Sequence, residues 1–134
     1  MRTRVILAED HEAVAEELRV VLDSRFDVVA SVTDGYGMIG AALVLKPDVI
    51  IADISMPGMD GVAAAEWILK KDPKSRIVFV TVHRERELVE QAVKIGAMGF
   101  VLKLMADEEL IPAVEAAMQG KRHVLGMNDR AETQ

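Results

Sequence analysis

No cysteine occurs among the 134 residues, which excludes disulfide staples and thiolate metal sites together. No apolar run approaches the ~18 residues of a membrane span. Arg2 and Arg4 precede only a brief apolar stretch, residues 5–8, too short for a secretory leader. Basic residues are outnumbered, 16 Lys and Arg against 22 Asp and Glu, for a net charge of −6. That balance argues against direct contact with nucleic acid, which demands a basic face for its phosphates. Proline is scarce, at four residues, and Pro47 and Pro73 stand where helical patterns stop. These absences predict a soluble, cytoplasmic domain with no membrane partner. The length predicts one domain, able to bury about two-thirds of its unfolded surface in a core.

What is present is alternation. Short apolar runs at 4–8, 26–32, 48–52, 76–80 and 99–103 read as strands, and helical spacing fills 13–22, 37–45, 61–71, 85–96 and 108–118. The run "DVIIA" (48–52) is apolar almost throughout and should be buried on both faces. Repeated βα units imply a parallel sheet, helices on both faces and right-handed crossovers. Two strand orders satisfy the pattern, a flavodoxin-like 2-1-3-4-5 and a truncated Rossmann 3-2-1-4-5. Both put a functional site at the carboxyl ends of the strands, beside the switch point. Pro112 falls inside the last helical segment, so that helix is expected to start near Glu108 or Glu109, or to bend. Residues 1–120 form the domain, and 121–134 read as a C-terminal tail or linker. The segment 38–45 is apolar nearly all round; it reads as a helix packed on the sheet, or as a face around Leu43 that meets a partner or a second copy.

The strand ends carry the chemistry. The first strand ends in Glu9 and Asp10, the third in Asp53, the fourth in Thr81 and the fifth in Lys103. With the first and third strands adjacent, three carboxylates meet, and like charges at close range call for a cation. Oxygen ligands with no Cys and no nearby His suit Mg²⁺ or Mn²⁺. A lysine closing an apolar strand wants an anionic partner. Three acids, a hydroxyl and an ammonium together suit phosphoryl transfer to a carboxylate.

A competing motif lies after the second strand, where Gly35, Gly37 and Gly40 are spaced G-x-G-x-x-G and Asp53 follows Gly35 by 18 positions. This supports the alternative of a nucleotide- or flavin-binding oxidoreductase domain. Against it, the Asp34 carboxylate beside the first glycine would oppose a pyrophosphate, and the loop after the first strand, "AEDHEA", is acidic. Gly37 and Gly40 each cost a helix about 1 kcal/mol relative to alanine, so the second helix is expected to begin late or be mobile. A phosphatase that phosphorylates its own aspartate would want a second acid two residues after Asp53, where Ser55 stands.

The segments "LAEDH" (7–11), "DVIIADISMPGMDG" (48–61), "RIVFVTVH" (76–83) and "GAMGFVLK" (96–103) resemble the CheY-like receiver domain of bacterial two-component response regulators, over roughly residues 3–120. The resemblance implies the order 2-1-3-4-5 and a phosphorelay module rather than an enzyme with turnover. It implies Asp53 as phosphoacceptor from a sensor histidine kinase, and Mg²⁺ held by Asp10, Asp53 and the Ser55 carbonyl, with Glu9 acting through water. Lys103 would bind a phosphoryl oxygen. Thr81 and Phe100 would form a switch pair, Phe100 turning inward when Thr81 moves towards the phosphoryl group. "T-x-H" at 81–83 and "GKRHVLG" (120–126) are similar to receivers of helix-turn-helix transcription regulators of the LuxR/NarL type. DNA would then be reached only through an effector domain outside this chain, with a homodimer forming on phosphorylation.

Overall fold

The computed structural model describes residues 2–124. In chain order they form β1 (Arg4–Ala8), α1 (Glu12–Asp23), β2 (Asp27–Val32), α2 (Gly35–Leu45), β3 (Val49–Ala52), α3 (Gly61–Lys71), β4 (Ile77–Thr81), α4 (Arg86–Ile95), β5 (Gly99–Leu102), α5 (Ala106–Met118) and β6 (His123–Val124). The strands make one parallel sheet in the order β2-β1-β3-β4-β5-β6. This is the flavodoxin-like order with a sixth strand added at its end, inside the segment read from sequence as tail. Two residues are too short to show a period, so His123 and Val124 were invisible as a strand.

Strand alternation divides the core. On β3, Val49 and Ile51 join the layer under α1 and α5, while Ile50 and Ala52 face α2, α3 and α4. On β4, Val78 and Val80 take the first side and Ile77 and Phe79 the second. Leu18 and Leu22 of α1 meet Leu110 and Val114 of α5 in the first layer; Met38, Val62, Ile68 and Val89 fill the second. All four β3 residues are buried, as expected for a central parallel strand. No helix among the described residues is long and apolar enough to cross a membrane.

Two expectations are corrected. The second helix does not begin late: it starts at Gly35, because the Asp34 side chain accepts from the Gly37 amide at 2.7 Å and caps it. The last helix does not begin late either. A 3₁₀ turn over Lys103–Met105 leads into α5 at Ala106, and Pro112 is carried within it. The apolar helix α2 packs on the sheet through one face and leaves another in solvent. Met38 is fully buried, whereas Leu43 and Val44 are exposed.

Candidate functional site

β1 and β3 are neighbours flanked by β2 and β4, so the chain reverses its order of travel between them. The carboxyl edge at this switch point is where a ligand site forms. Glu9 follows β1 and Asp53 follows β3. Their backbones are tied into the ladder by Glu9 N–H to the Val32 carbonyl at 2.9 Å and Asp53 N–H to the Ala8 carbonyl at 3.0 Å. Glu9, Asp53 and Thr81 are the buried polar or charged residues among those described. Three such groups beneath an apolar sheet cost several kcal/mol unless partnered.

Lys103 supplies the partner. From the end of β5 its ammonium reaches Asp53 Oδ2 at 2.9 Å and Glu9 Oε1 at 2.8 Å. The first contact is a directed hydrogen bond; the second is a charge contact without that alignment. Burial pushes the Lys103 ammonium down, but the hydrogen bonds and charges of Asp53 and Glu9 outweigh it and hold the pKa above its usual 10.5. One lysine thus bridges carboxylates that follow β1 and β3 and offsets one of their two negative charges.

It does not satisfy every oxygen. Glu9 Oε1, Asp10 Oδ1 and Asp53 Oδ1 are buried without a hydrogen-bond donor. Orphaned carboxylate oxygens at one edge fit a hard cation with oxygen ligands. The expectation of no nearby histidine is corrected: His11 Nδ1 lies 3.2 Å from Glu9 Oε2 and 3.4 Å from Asp10 Oδ1. These three residues can offer ligand atoms within 4.8 Å of one another. His11 follows directly in "EDH", but its role depends on an extended backbone before α1, which folds its ring back onto the acids.

The turn after Asp53 is held by close approach. Gly61 N–H donates to the Ile54 carbonyl at 2.8 Å, and a β-carbon on Gly61 would overlap the Asp53 carbonyl oxygen. Gly35 N–H donates to the Met59 carbonyl at 2.9 Å, where again a β-carbon would not fit. Asp60 caps α3 by accepting from the Ala63 amide at 2.8 Å. This is the true use of the glycine motif. With the Gly35 amide given to Met59 and the Gly37 amide to Asp34, neither can cradle a pyrophosphate, and the oxidoreductase alternative falls.

On the opposite rim, Ser55 Oγ meets His83 Nε2 at 2.8 Å, joining the β3 and β4 loops. Thr81 is fully buried, and its Oγ1 accepts from the His83 amide at 3.3 Å. Phe100 is 2% exposed and shares a core layer with Phe79, Val89 and Ala92. Its ring is held there by apolar burial, which both a switch residue and a plain core aromatic would show. Two apolar side chains border the site in solvent, Val82 at 70% and Leu104 at 88% exposure.

Comparison with known proteins agrees with this geometry. The family model described as response regulator receiver domain matches residues 5–115. The chain is 38% identical over 122 residues to the uncharacterized transcriptional regulatory protein YxjL of Bacillus subtilis, covering 90% of this chain and 56% of that protein. The chain thus spans little more than half of that relative. A two-component response regulator of the LuxR family from Aurantimonas superposes with a TM-score of 0.88 at 30% identity, over 94% of this chain and 91% of that one. The receiver domain of the putative response regulator NarL from Mycobacterium tuberculosis gives 0.85 at 30% identity, over 90% and 98%.

Proposed function

The chain belongs to the family of response regulator receiver domains, and from that premise we propose that Asp53 accepts a phosphoryl group from a phosphohistidine of a sensor histidine kinase. A carboxylate oxygen of Asp53 attacks phosphorus as the histidine nitrogen leaves, producing an acyl phosphate. The family is a phosphorylated signalling module, not an enzyme with turnover on a free substrate. The observation that carries the assignment is the Lys103 ammonium, 2.9 Å from Asp53 Oδ2 and reaching it from a different strand. An ammonium so placed balances the charge that a phosphoryl group brings to Asp53.

Mg²⁺ suits the oxygens left without donors; Asp10, Asp53 and the Ser55 carbonyl would hold it, with Glu9 through water, and it would neutralise the phosphoryl oxygens. Thr81 is the group to hydrogen-bond a phosphoryl oxygen. Because the His83 backbone N–H donates to the Thr81 side-chain hydroxyl, drawing that hydroxyl towards the phosphoryl group would release the start of the β4–α4 loop. The Ser55–His83 bond spans the approach to Asp53 and would tune the lifetime of the phosphoaspartate. The domain acts in the cytoplasm, forms a homodimer when phosphorylated, and influences transcription through an effector domain outside these residues.

The test is intact-mass measurement after acetyl phosphate and Mg²⁺. The wild-type chain is expected to gain one phosphoryl group, and Asp53→Ala none. Equal labelling of the variant overturns the assignment.

A further inference from the structure

At the amino ends of β3 and β4, the far end of the sheet from Asp53, a cavity of about 470 Å³ opens between the last turns of α2 and α3. Its floor is apolar: Ile50 and Ile68 are buried, while Trp67 and Leu43 stand at the rim, 37% and 55% exposed. Lys46, Lys71, Lys74 and Arg76 surround it. Asp48 and Asp72 also line it, which leaves four cations against two acids, and each acid has one oxygen tied to a backbone amide. Asp48 Oδ2 accepts from the Arg4 amide at 2.8 Å, and Asp72 Oδ1 from the Lys74 amide at 3.1 Å. The ion pairs of the described residues involve none of the four cations. Lys71 instead lies 5.3 Å from the centroid of the Trp67 ring. On a chain with net charge −6, four cations without ion-pair partners gather around one apolar hollow.

Lys46 adds a separate observation. It ends α2 in the left-handed conformation, at φ 48°, where glycine is the ordinary occupant. A side chain there costs about 1 kcal/mol or more. The residue carried there at that cost is one of the lysines that line the cavity.

We propose that this cavity binds an amphiphilic organic anion, with an alkyl or aromatic body against Ile50, Ile68 and Trp67 and a phosphate or carboxylate head among Lys46, Lys74 and Arg76. Its volume lies in the range of small-molecule sites, which pair an apolar wall with a few polar anchors. The proposal stands apart from the chemistry at Asp53 and survives its failure.

Trp67 is the sole tryptophan, so its fluorescence reports the site directly. The probe is octyl phosphate, titrated below its micelle concentration, with octanol and inorganic phosphate as separate arms. A saturable one-to-one change is expected, about tenfold tighter for octyl phosphate than for either arm alone, since charged hydrogen bonds and burial must act together. Lys46→Gly with Lys74→Gln should weaken binding about tenfold, because two charged contacts go. Glycine suits the left-handed cap, so this loss is separable from unfolding. Saturation only above the micelle concentration, equal affinity for octanol, or unchanged affinity in the double variant overturns the proposal. Amide shifts on binding should cluster at 42–50 and 67–76; shifts centred elsewhere overturn it too.

Discussion

At the carboxyl end of the sheet the chain leaves no room; at the amino end the same two helices finish beside an open hollow. Gly35 and Gly61, the first residues of α2 and α3, lie so close to the Met59 and Asp53 carbonyls that neither tolerates a β-carbon. Lys103 is fixed between two buried carboxylates. At the other end, Lys46, Lys74 and Arg76 reach no carboxylate, and Trp67 borders about 470 Å³ of open space. A charge that is buried must be matched within hydrogen-bond reach, whereas a charge at an open rim is solvated at little cost. The contrast separates a site preorganised for one small group from a surface able to accept a larger one.

Removing Lys103 should break that contrast most severely. Lys103→Met leaves Glu9 and Asp53 buried without a counter-charge, at a cost of about 3 kcal/mol in urea denaturation without divalent cation. Adding Mg²⁺ at ten times its dissociation constant should recover about 1.4 kcal/mol. The sign with pH follows from the raised Lys103 pKa. The stabilisation is full below the ordinary 10.5 and fades as pH rises through the higher folded value, so wild type and variant should converge only in strong alkali. A variant as stable as wild type at neutral pH would mean the lysine is not the counter-charge.

Gly61→Ala is next. The new methyl meets backbone, which cannot rotate away, so we expect a loss of about 2 kcal/mol and slower labelling of Asp53 by acetyl phosphate. Normal stability and normal labelling would show that the turn is looser than it looks.

Gly40→Ala is the smallest change and runs the other way. Nothing lies within 4 Å of a β-carbon there, and helical alanine is better than glycine. A gain of about 0.5–1 kcal/mol in the same denaturation is expected. A loss would mean that α2 is tightly packed along its whole length.

The three glycines also show where sequence reasoning reached its limit. Local patterning located the alternation of strands and helices, and Pro47 marked the end of α2, because both depend on neighbours a few residues apart. It placed Glu9, Asp53, Thr81 and Lys103 at strand ends, and the strand order then brought Glu9, Asp53 and Lys103 together. It did not reveal that Gly35 packs against Met59, 24 positions later, so Gly35 looked like the first glycine of a dinucleotide motif. His11 was missed for a related reason. Its position beside Glu9 and Asp10 was plain, but the backbone bend that returns its ring to them was not. The hollow at the amino end, assembled from the two segments 42–50 and 67–76, has no signature in either of them.

β6 has a consequence beyond completing the count of strands. It pairs with only Gly99 and Phe100, half of the four residues in β5, and the opposite border, β2, begins with an exposed aspartate. Among the described residues, β6 is short and β2 opens on a charge, features that work against edge-to-edge hydrogen bonding. Copies of this domain are thereby discouraged from growing edge to edge into extended sheets.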